Sequence, residues 1–168
     1  MQIFFKQNLA MLAVPKTGTT ALEAALRGKA DILFKGRRKH MSAAAFDKHC
    51  APFLRNAYKL TPERIAVIRD PLDHLRSWYK YRTREVLLSS PKSSSGMSFD
   101  AYVRDALDNP KLPHVNVGTQ FKFLSLKNAL LPSSKPMPLP RSRPKSPPKQ
   151  RPASALRVQT IMHSTLAF

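Results

Sequence analysis

The sequence predicts an α/β fold in which a mostly parallel sheet is flanked by helices. Short apolar runs at residues 9–14, 31–34 and 64–68 are typical of buried strands, and segments with helix-forming patterns follow them. Strands that alternate with helices are typical of βαβ units, whose strands run parallel. With 168 residues the chain is long enough to form one domain with a substantial core.

The first predicted strand, residues 9–14, runs into a loop that is suited to hold an anion. This loop reads Pro15-Lys16-Thr17-Gly18-Thr19-Thr20 and precedes an amphipathic helix. A helix N-terminus presents free backbone N–H groups, and the helix dipole adds partial positive charge there. Lys16 supplies a full charge, and Thr19 and Thr20 supply hydroxyl groups. The alternative is an ordinary strand-to-helix turn that needs Gly18 only for its backbone conformation.

The predicted strand at residues 64–68 runs into a second junction, Arg69-Asp70-Pro71. Asp70 is a good N-cap and Pro71 suits the first helical position, so a helix is predicted to begin here and to end near Ser89. The apolar side chains predicted to face the core from this segment are Leu72, Leu75, Tyr79 and Val86. Arg69, at the end of the strand, and Ser77, two turns into the helix, are predicted to line one crevice and to hold a second phosphate.

Together the two junctions resemble the sulfotransferase family that uses 3′-phosphoadenosine-5′-phosphosulfate (PAPS). In that family a Pro-Lys-x-Gly-Thr-Thr loop holds the 5′-phosphosulfate, and an Arg-Asp-Pro segment, with a serine eight residues after the arginine, holds the 3′-phosphate. Residues 15–20 match the loop, and Arg69 and Ser77 have the required order and spacing. Residues 116–125 look like the Gly-Thr-Gln segment of bacterial members. The resemblance implies a P-loop-like sulfotransferase fold and a donor site made of Pro15, Lys16, Thr17, Gly18, Thr19, Thr20, Arg69 and Ser77.

The resemblance also implies the chemistry, which is transfer of a sulfuryl group from PAPS to a hydroxyl or amine acceptor such as a carbohydrate. Lys16 is the catalytic residue expected to neutralise charge on the leaving phosphate. His40 is the candidate base, because it follows a strand and a glycine turn and precedes a helix N-terminus. His49 and Glu23 are the alternatives for the base. PAPS is the expected co-substrate, and no metal is required.

A helix is predicted from the N-cap Ser42 to about His49, and another over residues 98–107, with an exposed serine-rich loop at residues 89–97. Cys50 is the single cysteine, which fits a reducing compartment, and no apolar run is long enough for a membrane span. A cytoplasmic location is therefore expected. The sequence does not predict an oligomeric state.

The charge of the chain is distributed very unevenly. The formal net charge is +19, and all ten acidic residues lie between Glu23 and Asp108. Residues 132–152 hold eight of the fifteen prolines, among Ser, Lys and Arg. Such a segment cannot bury enough apolar surface to offset its ordering entropy. The sequence thus predicts a donor-binding domain at residues 1–128 and a disordered tail at residues 129–168, which is either a basic arm or the product of a lost reading frame.

Three functions remain open from the sequence. The first is the PAPS-dependent sulfotransferase, and the second is a non-catalytic remnant that binds PAPS or another anion. The third is a basic protein that binds nucleic acid through its tail, which contains no aromatic residue between Phe123 and Phe168 for base stacking. A Walker-type nucleotide loop is disfavoured, because it requires lysine directly after a glycine and Lys16 precedes Gly18. The expected partner is a small-molecule or carbohydrate acceptor, with no specific nucleic acid.

Overall fold

The computed structural model describes residues 1–126, which form a small mixed sheet of four strands flanked by helices. The strands are β1 (Gln2–Phe4), β2 (Leu9–Leu12), β3 (Ile32–Leu33) and β4 (Glu63–Ala66). The helices are α1 (Thr19–Leu26), α2 (Ala43–Ala45), α3 (Ala51–Tyr58), α4 (Pro71–Arg82), α5 (Phe99–Asp108) and α6 (Gln120–Leu124). Short 3₁₀ turns occur at Arg27–Lys29, Gly36–His40 and Glu85–Leu87, and a π turn at Phe46–Cys50 joins α2 to α3.

The prediction of an α/β fold is confirmed, but the prediction of a mostly parallel sheet is wrong. The strand order is β3-β1-β2-β4, and β1 pairs antiparallel with both β2 and β3. The reason is a tight reversal within the apolar N-terminal stretch, where the Asn8 N–H donates to the Phe5 carbonyl at 3.0 Å. Asn8 has a φ of +50°, a left-handed conformation that asparagine tolerates better than most residues. Residues 1–14 therefore form a hairpin instead of leading into β2 alone.

The pairing of β2 with β4 is parallel, and it places the two strand-to-helix junctions side by side. The register runs from Leu9 opposite Glu63 to Leu12 opposite Ala66. Both strands end at the same edge of the sheet, as parallel neighbours must. The loop that leads into α1 and the segment that leads into α4 therefore emerge next to each other.

The core lies between the sheet and the helices that cover it. Its fully or almost fully buried apolar side chains come from the strands and from the helical segments at residues 43–58 and 120–124; they include Ile3, Leu12, Val14, Phe46, Leu54 and Leu124. Because the side chains of β2 are buried on both faces, this strand reads as a continuous apolar run in the sequence. The phosphate-loop candidate thus follows a largely buried strand.

The predicted helix starts are confirmed at three positions. The Asp70 carboxylate accepts hydrogen bonds from the N–H groups of Leu72 and Asp73 at 3.0 Å each, with Pro71 as the first residue of α4. The hydroxyls of Ser42 and Ser98 cap α2 and α5 in the same manner.

The predicted core face of α4 is wrong at two of its four positions, while Leu75 and Tyr79 are half-buried. Leu72 is 48% exposed and Val86 is 83% exposed, whereas the buried residues of the helix are His74 and Arg82. The helix ends at Arg82 and not near Ser89, so the predicted end is wrong and Val86 does not continue its face. The buried face carries polar groups with internal hydrogen-bond partners, a pattern that apolar spacing does not reveal.

Within residues 1–126, the helices are all too short or too polar to cross a membrane. The predicted domain boundary near residue 128 and the predicted tail lie outside the described residues.

Replacing Arg82 with leucine is expected to lower the free energy of unfolding by ~2 kcal/mol. The buried guanidinium donates to the Pro113 carbonyl at 2.6 Å and to the Asn116 carbonyl at 3.0 Å, and both carbonyls would lose this partner. Arg104→Leu, at an exposed position of α5, is the matched control and should change stability by less than about 0.5 kcal/mol. Urea unfolding followed by circular dichroism measures both, and equal losses would contradict the role of Arg82.

Candidate functional site

The loop between β2 and α1 has an unusual backbone. Lys16 has a φ of +64° and Gly18 a φ of +78°, so two of its residues, two positions apart, are left-handed. A Cβ on Gly18 would meet no atom within 4 Å, so the positive φ, and not close packing, is what selects glycine there. The hydroxyl of Thr17 is buried and donates to the Val14 carbonyl at 3.0 Å, which closes the loop from inside.

The first turn of α1 has no side-chain cap. Gly18 occupies the N-cap position, so that no side-chain oxygen satisfies the first N–H groups of the helix. The two threonines differ in their surroundings. Thr19 is buried, whereas the exposed Thr20 accepts a hydrogen bond from the Lys39 ammonium at 3.1 Å. The N–H groups at this turn and the partial charge of the helix dipole are suited to an anion.

Lys16, Arg69 and Ser77 line one cleft at the carboxyl ends of β2 and β4. The cleft has a volume of about 180 Å³, and its other lining residues, all from α4 or just after it, are Arg76, Lys80, Tyr81 and Arg84. The structure thus brings together the lysine of the first junction with the arginine and serine of the second. Thr19 does not line the cleft.

Positive charge dominates this cleft. Five of its seven lining residues are Lys or Arg, and none is acidic. One of the five, Arg76, forms an ion pair at 2.7 Å with Asp73, which does not line the cleft. Burial, followed by the nearby Arg84 and Arg69, lowers the pKa of Lys16 below its ordinary value of 10.5. A cluster of cations that depresses the pKa of one member favours an anionic ligand.

Tyr81 lies between two of these cations. The Lys16 ammonium sits over its ring at 4.6 Å from the centroid, and the Arg84 guanidinium lies at 4.9 Å. Cations stack on the electron-rich faces of aromatic rings, an interaction of about 0.5–1 kcal/mol at exposed sites. The ring therefore holds the end of the Lys16 side chain at the cleft.

His40 is bound to the strand that leads into the loop. Its Nδ1–H donates to the Ala13 carbonyl at 2.7 Å, which leaves Nε2 as the nitrogen with a free lone pair in the neutral ring. His40 ends the 3₁₀ turn Gly36–His40 and does not line the cleft. The hydrogen bond fixes the orientation of the ring beside the loop, as a general base requires.

The two alternative bases are placed less favourably. The Glu23 carboxylate is buried and forms ion pairs with Lys39 at 3.1 Å and with Arg27 at 3.9 Å. The carboxylate is thus already paired with two cations, and Glu23 does not line the cleft. His49 is exposed on the π turn Phe46–Cys50, and no contact with the cleft is found for it among the described residues.

Sequence reasoning missed His74, which also contacts the loop. Its Nε2–H donates to the Pro15 carbonyl at 2.9 Å, and the residue is only 7% exposed. The pKa of His74 is lowered below 6.5, mainly by burial. The hydrogen bond to Pro15 raises this pKa, whereas the nearby charges of Arg69 and Lys16 lower it further. The spacing in the sequence could have revealed this contact. His74 precedes Ser77 by three positions, and residues three apart lie on the same side of a helix.

A second pocket of about 310 Å³ lies on the other side of Pro15. His74 and Trp78 line it from α4, and residues 117–120, 122 and 123 also line it. The Gly-Thr-Gln segment is therefore part of the site region. The Gln120 side chain reaches across to Arg69, where its amide pairs with both backbone polar groups at 2.8 Å.

Comparison with known proteins gives no relative: no family model, no curated protein and no solved structure matches the chain. Function is therefore argued from the chemistry of the two junctions. No group of three His, Cys, Asp or Glu side chains placed to hold a metal ion is found within residues 1–126.

The two loop-bound histidines are expected to adopt opposite neutral tautomers, because a carbonyl oxygen accepts only from a protonated nitrogen. His40 should carry its proton on Nδ1 and His74 on Nε2. Long-range ¹H–¹⁵N correlation spectra distinguish these forms. In an acid titration His74 should remain neutral to a lower pH than a histidine in an unfolded peptide, because its pKa is lowered. A proton on Nδ1 of His74 would contradict the described contact.

Proposed function

We propose that this chain binds PAPS and transfers its sulfuryl group to a hydroxyl or amine acceptor. The observation that carries the proposal is the shared cleft of Lys16, Arg69 and Ser77 at the carboxyl ends of two parallel strands. Lys16 lies 53 positions before Arg69 and 61 before Ser77, so the spacing within either motif does not dictate that Lys16 meets the other two residues. In open α/β sheets, ligands bind at this edge. The proposal includes the P-loop-like sulfotransferase fold.

Each part of the donor has a matching group in the proposed site. The Arg69 guanidinium and the Ser77 hydroxyl hold the 3′-phosphate, because a planar fork of N–H donors suits phosphate oxygens. The loop residues Pro15 to Thr20 hold the 5′-phosphate with the uncapped N–H groups of α1. The cleft volume of about 180 Å³ suits a phosphate group and not a whole nucleotide. The remainder of the donor would therefore extend beyond the cleft.

Transfer is an in-line displacement at sulfur. The acceptor oxygen forms the new S–O bond, the bond between sulfur and the bridging phosphate oxygen breaks, and adenosine 3′,5′-bisphosphate leaves. Lys16 neutralises charge that builds up on the leaving phosphate, a role suited to a cation held at the loop. We assign the acceptor proton to Nε2 of His40, which lies outside the cleft lining and carries the lone pair in the neutral ring when Nδ1–H donates to Ala13. Carbohydrate hydroxyls are the acceptor class that we propose.

A sulfate-transfer assay separates the enzyme from a non-catalytic PAPS-binding remnant. PAPS is offered with a library of sugars, phenols, alcohols and amines, and release of adenosine 3′,5′-bisphosphate is followed together with sulfated product. Transfer to any member supports the enzyme. Tight bisphosphate binding without transfer to any member would support the remnant instead. Failure to bind the bisphosphate would overturn both.

Arg69→Ala is expected to weaken binding of adenosine 3′,5′-bisphosphate by about 2 kcal/mol or more, as for a lost charge-assisted hydrogen bond. Binding of adenosine 5′-monophosphate should change little, because that ligand lacks the 3′-phosphate. Isothermal titration calorimetry measures both ligands. Arg104→Ala removes an exposed arginine of α5 and controls for net charge. Equal losses for the two ligands would count against Arg69 as the 3′-phosphate group.

The affinity for adenosine 3′,5′-bisphosphate is expected to begin to fall at a lower pH than it would if Lys16 had the ordinary pKa of lysine. Binding requires the charged form of Lys16, and burial with Arg84 and Arg69 lowers the pKa of that ammonium in the free protein. Affinity should therefore be flat below this lowered pKa and decline above it. Lys16→Arg keeps its charge at every accessible pH, so its affinity should be insensitive between about pH 7 and about pH 10. Identical profiles for the two proteins would refute the assignment.

A further inference from the structure

The Gln120 side chain contacts Arg69 in an uncommon manner. Its Oε1 accepts from the Arg69 N–H at 2.8 Å, and its Nε2 donates to the Arg69 carbonyl at 2.8 Å. One side-chain amide thus pairs with both backbone polar groups of a single residue, as a neighbouring strand would. The two residues are 51 positions apart in sequence, so the contact is a feature of the fold and not of local chain geometry.

Arg69 needs such a partner because it lies between regular elements. Strand β4 ends at Ala66 and helix α4 begins at Pro71, so neither the sheet nor the helix fixes the Arg69 backbone. Arg69 is also exposed. An exposed residue in a short connection has several backbone conformations within reach, and each directs its side chain differently. Two hydrogen bonds to one amide select a single conformation.

The helix that carries Gln120 is fixed by contacts of its own. It is the first residue of α6, whose N-cap Thr119 accepts from the Lys122 N–H at 3.0 Å. Leu124 anchors the other end of the helix in the core. Ahead of the helix, the buried Arg82 binds the Asn116 carbonyl at 3.0 Å. The amide of Gln120 is therefore presented to Arg69 from a fixed position.

We propose that Gln120 is a positioning residue that aims the Arg69 guanidinium into the cleft and thereby sets the preference for a 3′-phosphorylated nucleotide. This inference rests on the proposed function, because the 3′-phosphate is the group that Arg69 is proposed to hold. It assigns a role to the Gly-Thr-Gln segment of this chain. Gln120 has no direct contact with the ligand in this role and acts through the backbone of Arg69.

A purely structural role for Gln120 makes a different prediction. If the amide only docked α6, its loss would lower stability and would weaken all nucleotides alike. A positioning role affects the ligand with a 3′-phosphate selectively. The ratio of two affinities, for adenosine 3′,5′-bisphosphate and for adenosine 5′-monophosphate, therefore separates the two roles.

The test uses Gln120→Met, which has similar size but makes neither hydrogen bond, in the full chain. Calorimetry should show a roughly tenfold loss of bisphosphate affinity, equivalent to about 1.4 kcal/mol, and less than a twofold change for the monophosphate. Phe121→Ala, at an exposed position of the same helix, is the matched control and should leave the ratio unchanged. In the Arg69→Ala background, Gln120→Met should add no further loss, because Gln120 acts through Arg69.

Amide hydrogen exchange supplies a readout that is independent of any ligand. The Arg69 N–H should exchange faster in Gln120→Met than in the unaltered chain, while the amides of β2 and β4 stay protected. If the methionine variant fails to fold, Gln120→Glu serves instead, since it keeps the acceptor for the Arg69 N–H and loses the donor. It should retain the slow exchange of that amide and still lose part of the affinity ratio.

The outcomes separate the two proposals. An unaltered chain that binds neither nucleotide overturns the proposed function, whatever Gln120 does to the Arg69 amide. An unaltered chain that prefers the bisphosphate, with a Gln120 variant that keeps the same preference, overturns the positioning role alone. Equal weakening of both nucleotides, with a matching loss of thermal stability, likewise overturns positioning in favour of docking.

Discussion

The site depends first on the parallel pairing of β2 with β4. Four residue pairs, from Leu9 with Glu63 to Leu12 with Ala66, fix the register of the two strands. Because both strands end at one edge, Lys16 on the first connection and Arg69 on the second reach the same cleft. A one-residue slip would turn the side chains of β4 to the opposite face and shift the second junction along the edge. The buried side chains of β2 resist such a slip, since it would leave the packing against them unmatched.

The loop backbone is held in place by its neighbours. A left-handed conformation at a non-glycine residue such as Lys16 costs roughly 1 kcal/mol or more. Three hydrogen bonds to carbonyl groups of the loop and its preceding strand oppose this cost: His40 binds Ala13, His74 binds Pro15, and Thr17 binds Val14. The two histidines come from different elements, the 3₁₀ turn before α2 and helix α4. The loop is thus fixed from both flanks, which preorganises it for a ligand.

Sequence patterns predicted those parts of the structure that local chemistry determines. The Asp70 cap, the Pro71 start and the glycine at Gly18 each follow from the backbone needs of one residue, and each is found as expected. The hairpin at Asn8 was missed, because an apolar run with one polar interruption is consistent with one strand or with two. His74 and the Gln120 contact were missed for a different reason, since each joins residues more than 50 positions apart.

Two of the four predicted inward positions of α4 fail, and they show where apolar periodicity misleads. A pattern search places Leu72 and Val86 inward, but the inward positions belong to His74 and Arg82, whose polar groups bind backbone carbonyls. Burial of such groups is tolerated when their hydrogen bonds are made. The three carbonyl partners lie in segments that shape the site, one in the loop at Pro15 and two in the segment before α6. At these two positions the helix buries polar side chains instead of apolar ones, and their hydrogen bonds fix the loops on either side of it.

The cations that line the cleft carry an electrostatic cost for the fold. Lys16, Arg69, Lys80 and Arg84 repel one another, and the lowered pKa of Lys16 is a direct sign of burial together with that repulsion. A lysine whose pKa is lower in the folded than in the unfolded chain destabilises the fold wherever it is charged, which includes neutral pH. The penalty begins to decline as the pH rises through the lowered pKa, and it is gone only above the ordinary value of 10.5. An anion in the cleft offsets it without any change of pH, because it favours the charged form. The gathering of these cations at one cleft therefore supports the proposal that it holds a highly charged anion.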